Sequence, residues 1–501
     1  MFDSYMHNVI NFLAALFIVG VGLGLLTIIA LYIVDIRQTR HTIRRNYPVI
    51  GRFRYFFEHL GEFFRQYFYA QDREEQPFNR AIRSWVYRAA KGLTTDVAFG
   101  STRALNTVGD CHFMPAGFPL LEEHTQPTPT KTIGAHCLHP YQAPAFFNIS
   151  GMSYGALSGP AITALSHGAA AAKCWLNTGE GGLSQHHLSG QCDIVFQIGT
   201  AKYGVRDNEG NLCPVRLKAI ANHSNVKMFE LKLSQGAKPG KGGILPAAKV
   251  TASIATTRGI PQGEASVSPN RHRDIETLQE LIDRLADIRD ITGKPVGFKT
   301  VLGDTQWFSD LCAYMATLSS EQLPDFITID GAEGGTGAAP QALMDSMGLP
   351  LMESLPFVVD ELKKYNLKKR IAVIASGKLI NPSAVARAMA TGADFVVSAR
   401  GFMFSLGCIQ AMQCHKNTCP TGITTHDTRL QRGLDPTNKA VRVARYHAQI
   451  IKEVDMLAHS CGAAHARQLT RKHIRVITET GRSALLSQVH PEPIKMVSDK
   501  K

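Results

Sequence analysis

Three cysteines stand close together in the sequence at Cys408, Cys414 and Cys419, and Pro420 follows the last of them. Cysteine thiolates bind soft metals, and a closed structural zinc site needs four protein ligands. Three thiolates on one tight loop therefore suit a metal cluster with three protein ligands better than zinc, which stays the alternative. The loop follows the apolar run Ala393–Gly401, so we expect it to leave the end of a sheet.

Glycine-rich segments with polar side chains recur directly after short apolar runs. They are Ser150–Ser158, Asn177–Gly182, Glu230–Gly243, Asp330–Gly337 and Ser376–Lys378. Small residues let the backbone approach a flat ligand, and backbone N–H groups at such turns bind phosphate. Each segment alone is also typical of an ordinary turn, so it is their repetition that predicts a site for a flat, phosphate-bearing cofactor such as a flavin.

Charged residues in and near these segments indicate what the site does. Lys299 lies inside an apolar run, where a buried ammonium needs a partner. Beneath a flavin ring it could stabilise negative charge on the reduced ring, and a structural salt bridge is the alternative. Glu180 and Glu333 are candidates for proton transfer. Three further cations can bind an anionic substrate, because carboxylates favour paired cations. They are Lys232, Lys238 and Arg271.

The elements that would position these residues begin near residue 144, where eight apolar runs alternate with helical stretches. The runs are Ala145–Met152, Cys174–Gly179, Asp193–Gly199, Met228–Leu233, Gly297–Leu302, Phe326–Gly331, Ile371–Gly377 and Phe395–Arg400. Near-continuous apolar runs are typical of parallel strands covered on both faces. Eight repeats predict an α/β protein with a (β/α)8 TIM barrel, whose active site lies at the carboxyl ends of the strands. A doubly wound open sheet is the alternative, but its G-x-G-x-x-G turn does not follow the first run.

Length and composition describe a large globular protein. The chain has 501 residues, of which 44% are apolar and 19% are charged. Its net charge of +13 comes partly from six arginines between Arg37 and Arg54. A basic chain can bind nucleic acid, but no recognition motif accompanies this charge, so we predict no nucleic-acid partner.

The other seven cysteines are scattered along the chain and are predicted to be small buried apolar residues. They are Cys111, Cys137, Cys174, Cys192, Cys213, Cys312 and Cys461. Ten cysteines in a chain of this length do not form a disulfide scaffold. Free thiolates that bind metal indicate a reducing compartment.

The segment from Val9 to Val34 carries no charged residue and is long enough to cross a hydrocarbon core of about 30 Å. We predict that it is a retained transmembrane anchor. A cleaved signal peptide is the alternative, but the segment is too long, no basic residue precedes it and no A-x-A-like site follows it. The arginines after Val34 predict a single-pass protein of the cell (inner) membrane with its catalytic domain in the cytoplasm, in contact with membrane lipid through the N-terminal helix.

These observations divide the chain into four predicted regions. They are the anchor 1–35, a juxtamembrane and connecting region 36–143, the barrel 144–435 with the cysteine loop 408–420, and a C-terminal helical extension and tail 436–501. Within the connecting region, Arg52–Tyr69 is rich in aromatic and basic residues, which fits either a helix at the membrane interface or one packed on the next domain. Helical patterns are also expected between the strands, for example at Glu276–Thr292 and Pro382–Thr391. Residues 437–483 are expected to be helical and to pack outside the barrel.

Five separated motifs occur in the order of one known family. They are Gly179-Glu-Gly-Gly182, Lys232-x-x-Gln-Gly-Ala-Lys-Pro-Gly240, Ser268-Pro-x-x-His-x-Asp274, Gly334-Gly-Thr-Gly-Ala-x-Pro340 and the C-x5-C-x4-C-P loop. From about Pro144 to Ala463 the chain resembles the FMN-binding synthase domain of glutamate synthase. It resembles more closely the short, membrane-anchored bacterial proteins built around that domain.

The resemblance implies a TIM barrel that holds FMN, with the three clustered cysteines as ligands of a [3Fe–4S] cluster. It implies reductive amination for glutamate biosynthesis: ammonia and 2-oxoglutarate condense, and reduced FMN delivers hydride to the imine carbon to give L-glutamate. An electron-donor protein would supply electrons through the cluster. The residues expected at FMN are Ser153, Gln197, Lys299, Gly334, Gly335 and Gly377. Those expected at the 2-oxoglutarate carboxylates are Lys232, Gln235, Lys238 and Arg271.

The sequence departs from the family's pattern in ways that bear on the substrate. The full enzyme begins with a glutaminase domain, and here the predicted anchor takes that place. We therefore expect free ammonia, another amine or a separate glutaminase subunit as the nitrogen source. Lys241 stands where the family has a glutamate, and Ala332 stands where it has a histidine.

Two other functions stay open. One is an FMN-dependent 2-hydroxy-acid oxidase, which would not need three clustered cysteines. The other is a non-catalytic electron-relay subunit that keeps FMN and the cluster without converting 2-oxoglutarate.

Overall fold

The computed structural model describes residues 2–495, without the side chains of residues 2, 3, 62 and 63. The chain forms two compact units, Met1–Ala81 and Ile82–Lys501. The larger unit is built around a closed barrel of eight parallel strands. Residues 496–501, the end of the predicted C-terminal extension, lie outside the described part.

The barrel confirms the predicted fold, because each strand coincides with one of the eight apolar runs. The strands are Phe147–Ile149 (β1), Leu176–Asn177 (β2), Ile194–Ile198 (β3), Val226–Lys232 (β4), Val296–Thr300 (β5), Phe326–Asp330 (β6), Ala372–Ser376 (β7) and Phe395–Ser398 (β8). Every strand residue except Lys227 is buried. Burial on both faces explains why the strands have no polar alternation in the sequence.

Apolar side chains fill the amino end of the barrel. Trp175, Phe326 and Phe395, at or next to strand starts, belong to one buried cluster, which also includes residues of a small antiparallel hairpin. The hairpin pairs Lys131–Ile133 with Tyr141–Ala143. This end is therefore a packed core, and ligands must enter from the carboxyl ends of the strands.

Helices surround the barrel, and several of them begin at residues whose side chains cap them. The helices are Arg80–Lys91 (α4), Gly159–Ala172 (α5), Gln185–Leu188 (α6), Pro214–Ala221 (α7), Ala252–Arg258 (α8), Leu278–Thr292 (α9), Thr305–Met315 (α10), Gln341–Ser346 (α11), Leu351–Lys364 (α12), Pro382–Thr391 (α13), Arg400–Leu406 (α14), Thr428–Gln431 (α15), Pro436–Ser460 (α16) and Leu486–Val489 (α17). Short 3₁₀ segments are Glu122–His124, Gly179–Gly181, Ala247–Lys249, Ala466–Gln468 and Arg471–His473. Asn381 caps α13 through the amide of Ala384, and Thr277 with Glu280 forms a capping box at α9.

Helix α16 packs outside the barrel against α5. The contact is close because Gly168 has no side chain: a Cβ there would lie 2.5 Å from Val443 Cβ. Tyr446 of α16 donates to the carbonyl of Ile380, and His447 contacts the carbonyl of Phe147 in β1 at 2.9 Å. The beginning of the predicted helical extension is therefore a covering layer of the barrel.

The second half of the stretch predicted as helical, residues 461–483, is not a helix. After Gly462, whose φ is +80°, the chain forms 3₁₀ turns and the strands Ile474–Ile477 and Ser483–Leu485. These strands and Cys111–Phe113 form a three-stranded antiparallel sheet. The β-branched residues of 474–477 favour a strand, and pairing with a distant segment could not be read from local periodicity.

The smaller unit consists of helices. They are Phe2–Arg37 (α1), Thr42–Asn46 (α2), Gly51–Phe64 (α3) and a π-helical turn Arg65–Tyr69. The segment Ser4–Arg37 is long and apolar enough to cross a membrane, although a signal sequence has the same length and composition. At its end the buried carboxylate of Asp35 accepts hydrogen bonds from Arg44, Arg52 and the amide of Val49, which fixes the turn from α1 towards α3.

Candidate active site

A cavity opens at the carboxyl ends of the barrel strands. Residues at the ends of all eight strands line it: Ser150, Glu180, Gln197, Lys232, Lys299, Asp330, Ser376 and Ser398. The parallel strands bring these distant residues together, as the barrel predicts. Most site residues chosen from the sequence meet here, namely Ser153, Glu180, Gln197, Lys232, Gln235, Lys238, Lys299, Gly334, Gly335, Gly377 and Cys414.

Glycines keep the backbone open to the cavity on the side of β6 and β7. Gly377 has a φ of +136°, a conformation that other residues rarely adopt. A Cβ on Gly335 would lie 2.8 Å from Arg400 Nε, so a side chain would collide with the guanidinium. With Gly334, these turns form a cradle for a flat ligand that contacts the backbone.

Two cations accompany the glycine turns at the ends of β7 and β8. Lys378 and Arg400 both line the cavity, and Arg400 Nη2 donates to the carbonyl of Thr336 at 2.6 Å. Barrels of this type commonly bind phosphate after their last two strands. The residues at this end therefore fit the phosphate of FMN.

Lys299 projects from β5 into the cavity and forms a salt bridge with Asp330 at 3.3 Å. Asp330 also accepts hydrogen bonds from the amide of Gly236 at 2.9 Å and from Ser376 Oγ at 2.7 Å. Burial opposes the charge on Lys299, but the carboxylates of Asp330 and Glu230 outweigh it and raise the lysine's pKa. Burial likewise opposes the charge on Asp330, but Lys299 and the hydrogen bonds lower its pKa. Lys299 is thus a fixed positive charge in the mouth of the barrel.

Gln197 is oriented by a buried carboxylate beneath the cavity. Glu230 of β4 accepts hydrogen bonds from Asn177 at 2.8 Å, from Gln197 at 2.9 Å and from Thr328 at 3.0 Å. All four side chains are buried in the barrel. The network holds the Gln197 amide in one orientation, which suits a residue that forms hydrogen bonds with the edge of a cofactor ring.

Glu180 and Lys232 form an ion pair of 3.0 Å on the other side of the cavity. Lys232 also donates a hydrogen bond to Gln235. Burial would raise the pKa of Glu180, but Lys232, Lys238 and Arg258 together lower it. Glu180 is therefore a carboxylate at neutral pH, which makes it a fixed negative charge rather than a proton donor.

Arg258 lines the same side and was not found from the sequence. Its side chain is 5% exposed and its guanidinium lies 5.1 Å from the ring centre of Tyr203. Its Nη atoms donate to Ser266 Oγ at 3.2 Å and to the carbonyl of Tyr154 at 3.3 Å, whereas its buried Nε has no hydrogen-bond partner within the described residues. With Lys232 and Lys238, it can bind the carboxylates of a small anion.

Apart from Cys408 and Cys419 of the cysteine loop, two predicted site residues do not line this cavity. Arg271 is exposed, pairs with Glu276 at 2.5 Å and lines a separate groove that includes Trp307. Glu333 accepts a hydrogen bond from the amide of Leu351 at 3.0 Å, and burial raises its pKa. The structure therefore brings Arg258, not Arg271, to the predicted anion site.

The three clustered cysteines lie on a loop between α14 and α15. Gln410, Met412 and Asn417 of this loop have positive φ angles of 59°, 52° and 60°, so the chain turns sharply between the cysteines. The loop is tied down at both ends: Tyr87 donates to the carbonyl of Cys408 at 2.6 Å, and Thr425 donates to the carbonyl of Asn417 at 2.6 Å. Cys414 reaches the cavity lining, which places the loop at the mouth of the barrel.

The environments of the thiols differ. Burial raises the pKa of Cys408 to about 11. Burial also opposes ionisation of Cys419, but hydrogen bonds from Thr421 and Thr424 outweigh it and lower its pKa. Lys249, which the sequence did not single out, lines the cavity close to Cys414 and Cys419, and burial lowers its pKa to about 8.

The spacing of the three sulfurs bears on the metal. The three sulfurs of the clustered cysteines do not all lie within 4.8 Å of one another. Within the described residues, the one set of three possible ligand atoms that do is formed by His136, Cys137 and Asp325. Three thiolates about 2.3 Å from one zinc ion would need such close spacing, whereas ligands of different irons in a cluster would not. In that set, Asp325 forms ion pairs with Arg289 and Arg370, each at 3.0 Å. We therefore interpret the set as part of an ion-pair network at the amino end of the barrel.

Comparison with known proteins extends these observations. A family profile described as the conserved region in glutamate synthase matches residues 112–464. The chain is 38% identical to the glutamate synthase large subunit-like protein YerD of Bacillus subtilis, over 95% of this chain and 97% of that protein. It is 34% identical to the archaeal glutamate synthase [NADPH] of Methanocaldococcus jannaschii, over 63% of this chain and 58% of that protein. An active chimera of (S)-mandelate dehydrogenase is a structural neighbour with 15% identity and a TM-score of 0.46, over 78% of this chain and 98% of that one.

Proposed function

This chain belongs to the glutamate synthase family, and from that premise we propose that it is an oxidoreductase that binds FMN and a [3Fe–4S] cluster and converts 2-oxoglutarate and ammonia to L-glutamate. When bound, the flavin supplies hydride to an imine carbon, and the cluster supplies the electrons that the flavin needs. The overall reaction joins ammonia to the keto carbon, releases water, and adds two electrons and two protons. An electron-donor protein supplies those electrons.

The charge of one cavity is the observation that supports this function best. Its lining contains seven lysine and arginine residues against two carboxylates. The cations are Lys232, Lys238, Lys249, Arg258, Lys299, Lys378 and Arg400, and the carboxylates are Glu180 and Asp330. Such an excess in a buried site requires bound anions, because buried charges need partners. The phosphate of FMN and a dicarboxylate together supply them.

The residues on the side of β6 to β8 would hold the cofactor. Gly334, Gly335, Gly377, Lys378 and Arg400 hold the cofactor and its phosphate. Lys299 would place a positive charge beside a bound flavin, where it would stabilise negative charge that develops on reduction. Gln197, held by Glu230, would supply a hydrogen bond to the edge of the ring.

The opposite side binds the substrate. Lys232, Lys238 and Arg258 bind the two carboxylates of 2-oxoglutarate, and Gln235 supplies a neutral hydrogen bond, whereas Ser153 belongs to the predicted FMN site. Glu180 holds Lys232 in position through their ion pair. The three cations outnumber Glu180 by two, so this arrangement would favour a dicarboxylate over a monocarboxylate and would orient its keto carbon towards the flavin.

A 2-hydroxy-acid oxidase is the second candidate, and the same cavity favours it less, because its two carboxylates, Glu180 and Asp330, are both held in ion pairs. Oxidation of a hydroxy acid needs a base that removes the hydroxyl proton. His415 is the one histidine among the described lining residues, and it is exposed on the cysteine loop. Lys299 stays protonated, so it does not offer a base either.

The nitrogen source and the membrane attachment form part of the proposal. We infer that free ammonia, another amine or a separate glutaminase subunit provides nitrogen. We also infer that α1 anchors the protein in the membrane, with the barrel in the cytoplasm on the side of the arginines that follow it.

Cofactor analysis of the detergent-solubilised protein tests the proposal. Anaerobically purified protein should release one FMN per chain and contain about three iron atoms. After chemical reduction, its flavin should be reoxidised by 2-oxoglutarate with ammonia and not by pyruvate with ammonia. Protein with cofactors but no response to either keto acid would instead be an electron-relay subunit, and flavin reduction by lactate or another hydroxy acid would favour the oxidase.

A further inference from the structure

Lys249 is a buried cation without a carboxylate partner. Its side chain is 2% exposed. Within the described residues its ammonium forms no ion pair, and it donates to three backbone carbonyls, those of Ala156 at 3.4 Å, Cys414 at 2.8 Å and Thr424 at 2.6 Å. Each of the three ammonium N–H groups therefore donates a hydrogen bond to a backbone carbonyl.

The three carbonyls belong to three separate parts of the chain. Ala156 lies in the glycine-rich segment after β1 and lines the cavity. Cys414 is the middle cysteine of the loop, and Thr424 follows the last cysteine by five residues. One ammonium thus joins both halves of the cysteine loop to the mouth of the barrel.

Lys249 also lies beside the predicted cluster ligands, because its ammonium is 2.8 Å from the carbonyl oxygen of Cys414. A buried cation without an anion is costly, and three thiolates with their cluster carry net negative charge. An added electron increases that negative charge, so a positive charge at this distance stabilises the reduced form.

We propose that Lys249 is the positioning residue that holds the cysteine loop across the barrel mouth, and that its positive charge raises the reduction potential of the cluster on that loop. The second half of this inference rests on the function proposed above. The first half concerns the loop alone.

Three variants of the full-length protein separate these effects. Lys249→Met removes the charge and the hydrogen bonds, and Lys249→Arg keeps the charge but cannot place three protons at one point. Lys416→Met is the matched control, because it removes an exposed cation from the same loop. Equal FMN content in all variants verifies that the barrel is folded.

The first measurement is a redox titration of the cluster followed by electron paramagnetic resonance. Lys249→Met should shift the ratio of oxidised to reduced cluster about tenfold towards the oxidised form. For a one-electron couple, this shift corresponds to a reduction potential about 59 mV lower. Lys249→Arg and Lys416→Met should stay near the wild type. An unchanged potential in Lys249→Met, or an equal decrease in Lys416→Met, would overturn the electrostatic half.

The second measurement is hydrogen exchange of residues 408–425 after iron is removed with a chelator. Both Lys249 variants should exchange faster than the wild type, whereas Lys416→Met should not. Exchange that is unchanged in both Lys249 variants would overturn the positioning half. A wild-type protein that never contains iron would refute the proposed cluster, yet this measurement would still decide whether Lys249 holds the loop. If Lys249→Met does not fold, Lys249→Gln, which removes the charge but keeps N–H donors, takes its place in the redox titration. The hydrogen exchange of Lys249→Arg then still decides the positioning half.

Discussion

At the residue scale, Arg258 and Arg271 show how far a motif can guide the choice of site residues. Arg271 lies within a motif of the family pattern, but its loop turns away from the cavity and Glu276 binds its guanidinium. Arg258 ends helix α8 without any local signal, and the fold brings it to the cavity with a buried, unpartnered Nε. The glycine turns and strand-end lysines could be predicted because they recur in sequence. Isolated cations such as Arg258 and Lys249 could not, since tertiary packing alone gives them their place.

Replacing Arg258 should therefore impair substrate use, and replacing Arg271 should not. Loss of a charged hydrogen bond to a carboxylate costs about 1.5–3 kcal/mol, so Arg258→Met should lower kcat/KM for 2-oxoglutarate about 10- to 100-fold with unchanged FMN content. Arg271→Met is the matched control. Steady-state kinetics with an artificial electron donor measures both, and equal losses in the two variants would show that the substrate site is placed wrongly.

The pair of Lys299 and Asp330 sets a pH window for stability. The pKa of Asp330 is lowered, so its contribution is present above the unfolded value of about 4 and is lost as pH falls through the folded pKa. The pKa of Lys299 is raised, so its contribution is present below about 10 and is lost as pH rises through the folded pKa. The pair should thus stabilise the barrel across the whole range between these values.

Asp330→Asn should remove this stabilisation by leaving Lys299 buried without its partner. The loss should be about 3–5 kcal/mol and nearly constant between pH 5 and 9, because neither group titrates there. Thermal unfolding of the detergent-solubilised wild type and variant at several pH values measures the difference. A difference that disappears at pH 6 or at pH 8 would contradict the assigned charges.

At the scale of elements, the strands and many helices follow from sequence patterns, whereas their partners do not. Helix α13 has the predicted bounds, and α9 begins two residues inside its prediction, after its capping box. Residues 474–477 instead pair with Cys111–Phe113, more than 350 positions earlier in the chain. A local period cannot reveal such a pairing, and this explains the wrong helix prediction for 461–483.

The contact of α16 with α5 gives a test at this scale. Gly168→Ala should destabilise the larger unit by about 1–3 kcal/mol, because the new Cβ would lie 2.5 Å from Val443 and 2.9 Å from the carbonyl of Ala440. Gly433→Ala is the control, since within the described residues no atom beyond its chain neighbours lies within 4 Å of its Cβ position. Denaturant unfolding compares the two, and a Gly168→Ala protein as stable as the wild type would contradict the close packing of these helices.

At the scale of the whole molecule, an apolar helix and a TIM barrel share one chain. The side chains described in Ser4–Val34 are almost all exposed, which a membrane would explain. We expect protein from membrane fractions to keep its N-terminus and to resist extraction with carbonate. Mass spectrometry of the intact chain tests this expectation, and a soluble product that begins after Val34 would identify a cleaved signal sequence instead.

The most direct test of the central claim is a single turnover of the reduced protein. Detergent-solubilised protein with reduced flavin and no electron donor should be mixed anaerobically with 2-oxoglutarate and ¹⁵N-ammonia, while flavin absorbance and glutamate are followed. We predict flavin reoxidation with one ¹⁵N-glutamate formed per FMN, and far less with Arg258→Met. Flavin that stays reduced while no labelled glutamate forms would contradict the claim that this cavity reduces an imine of 2-oxoglutarate.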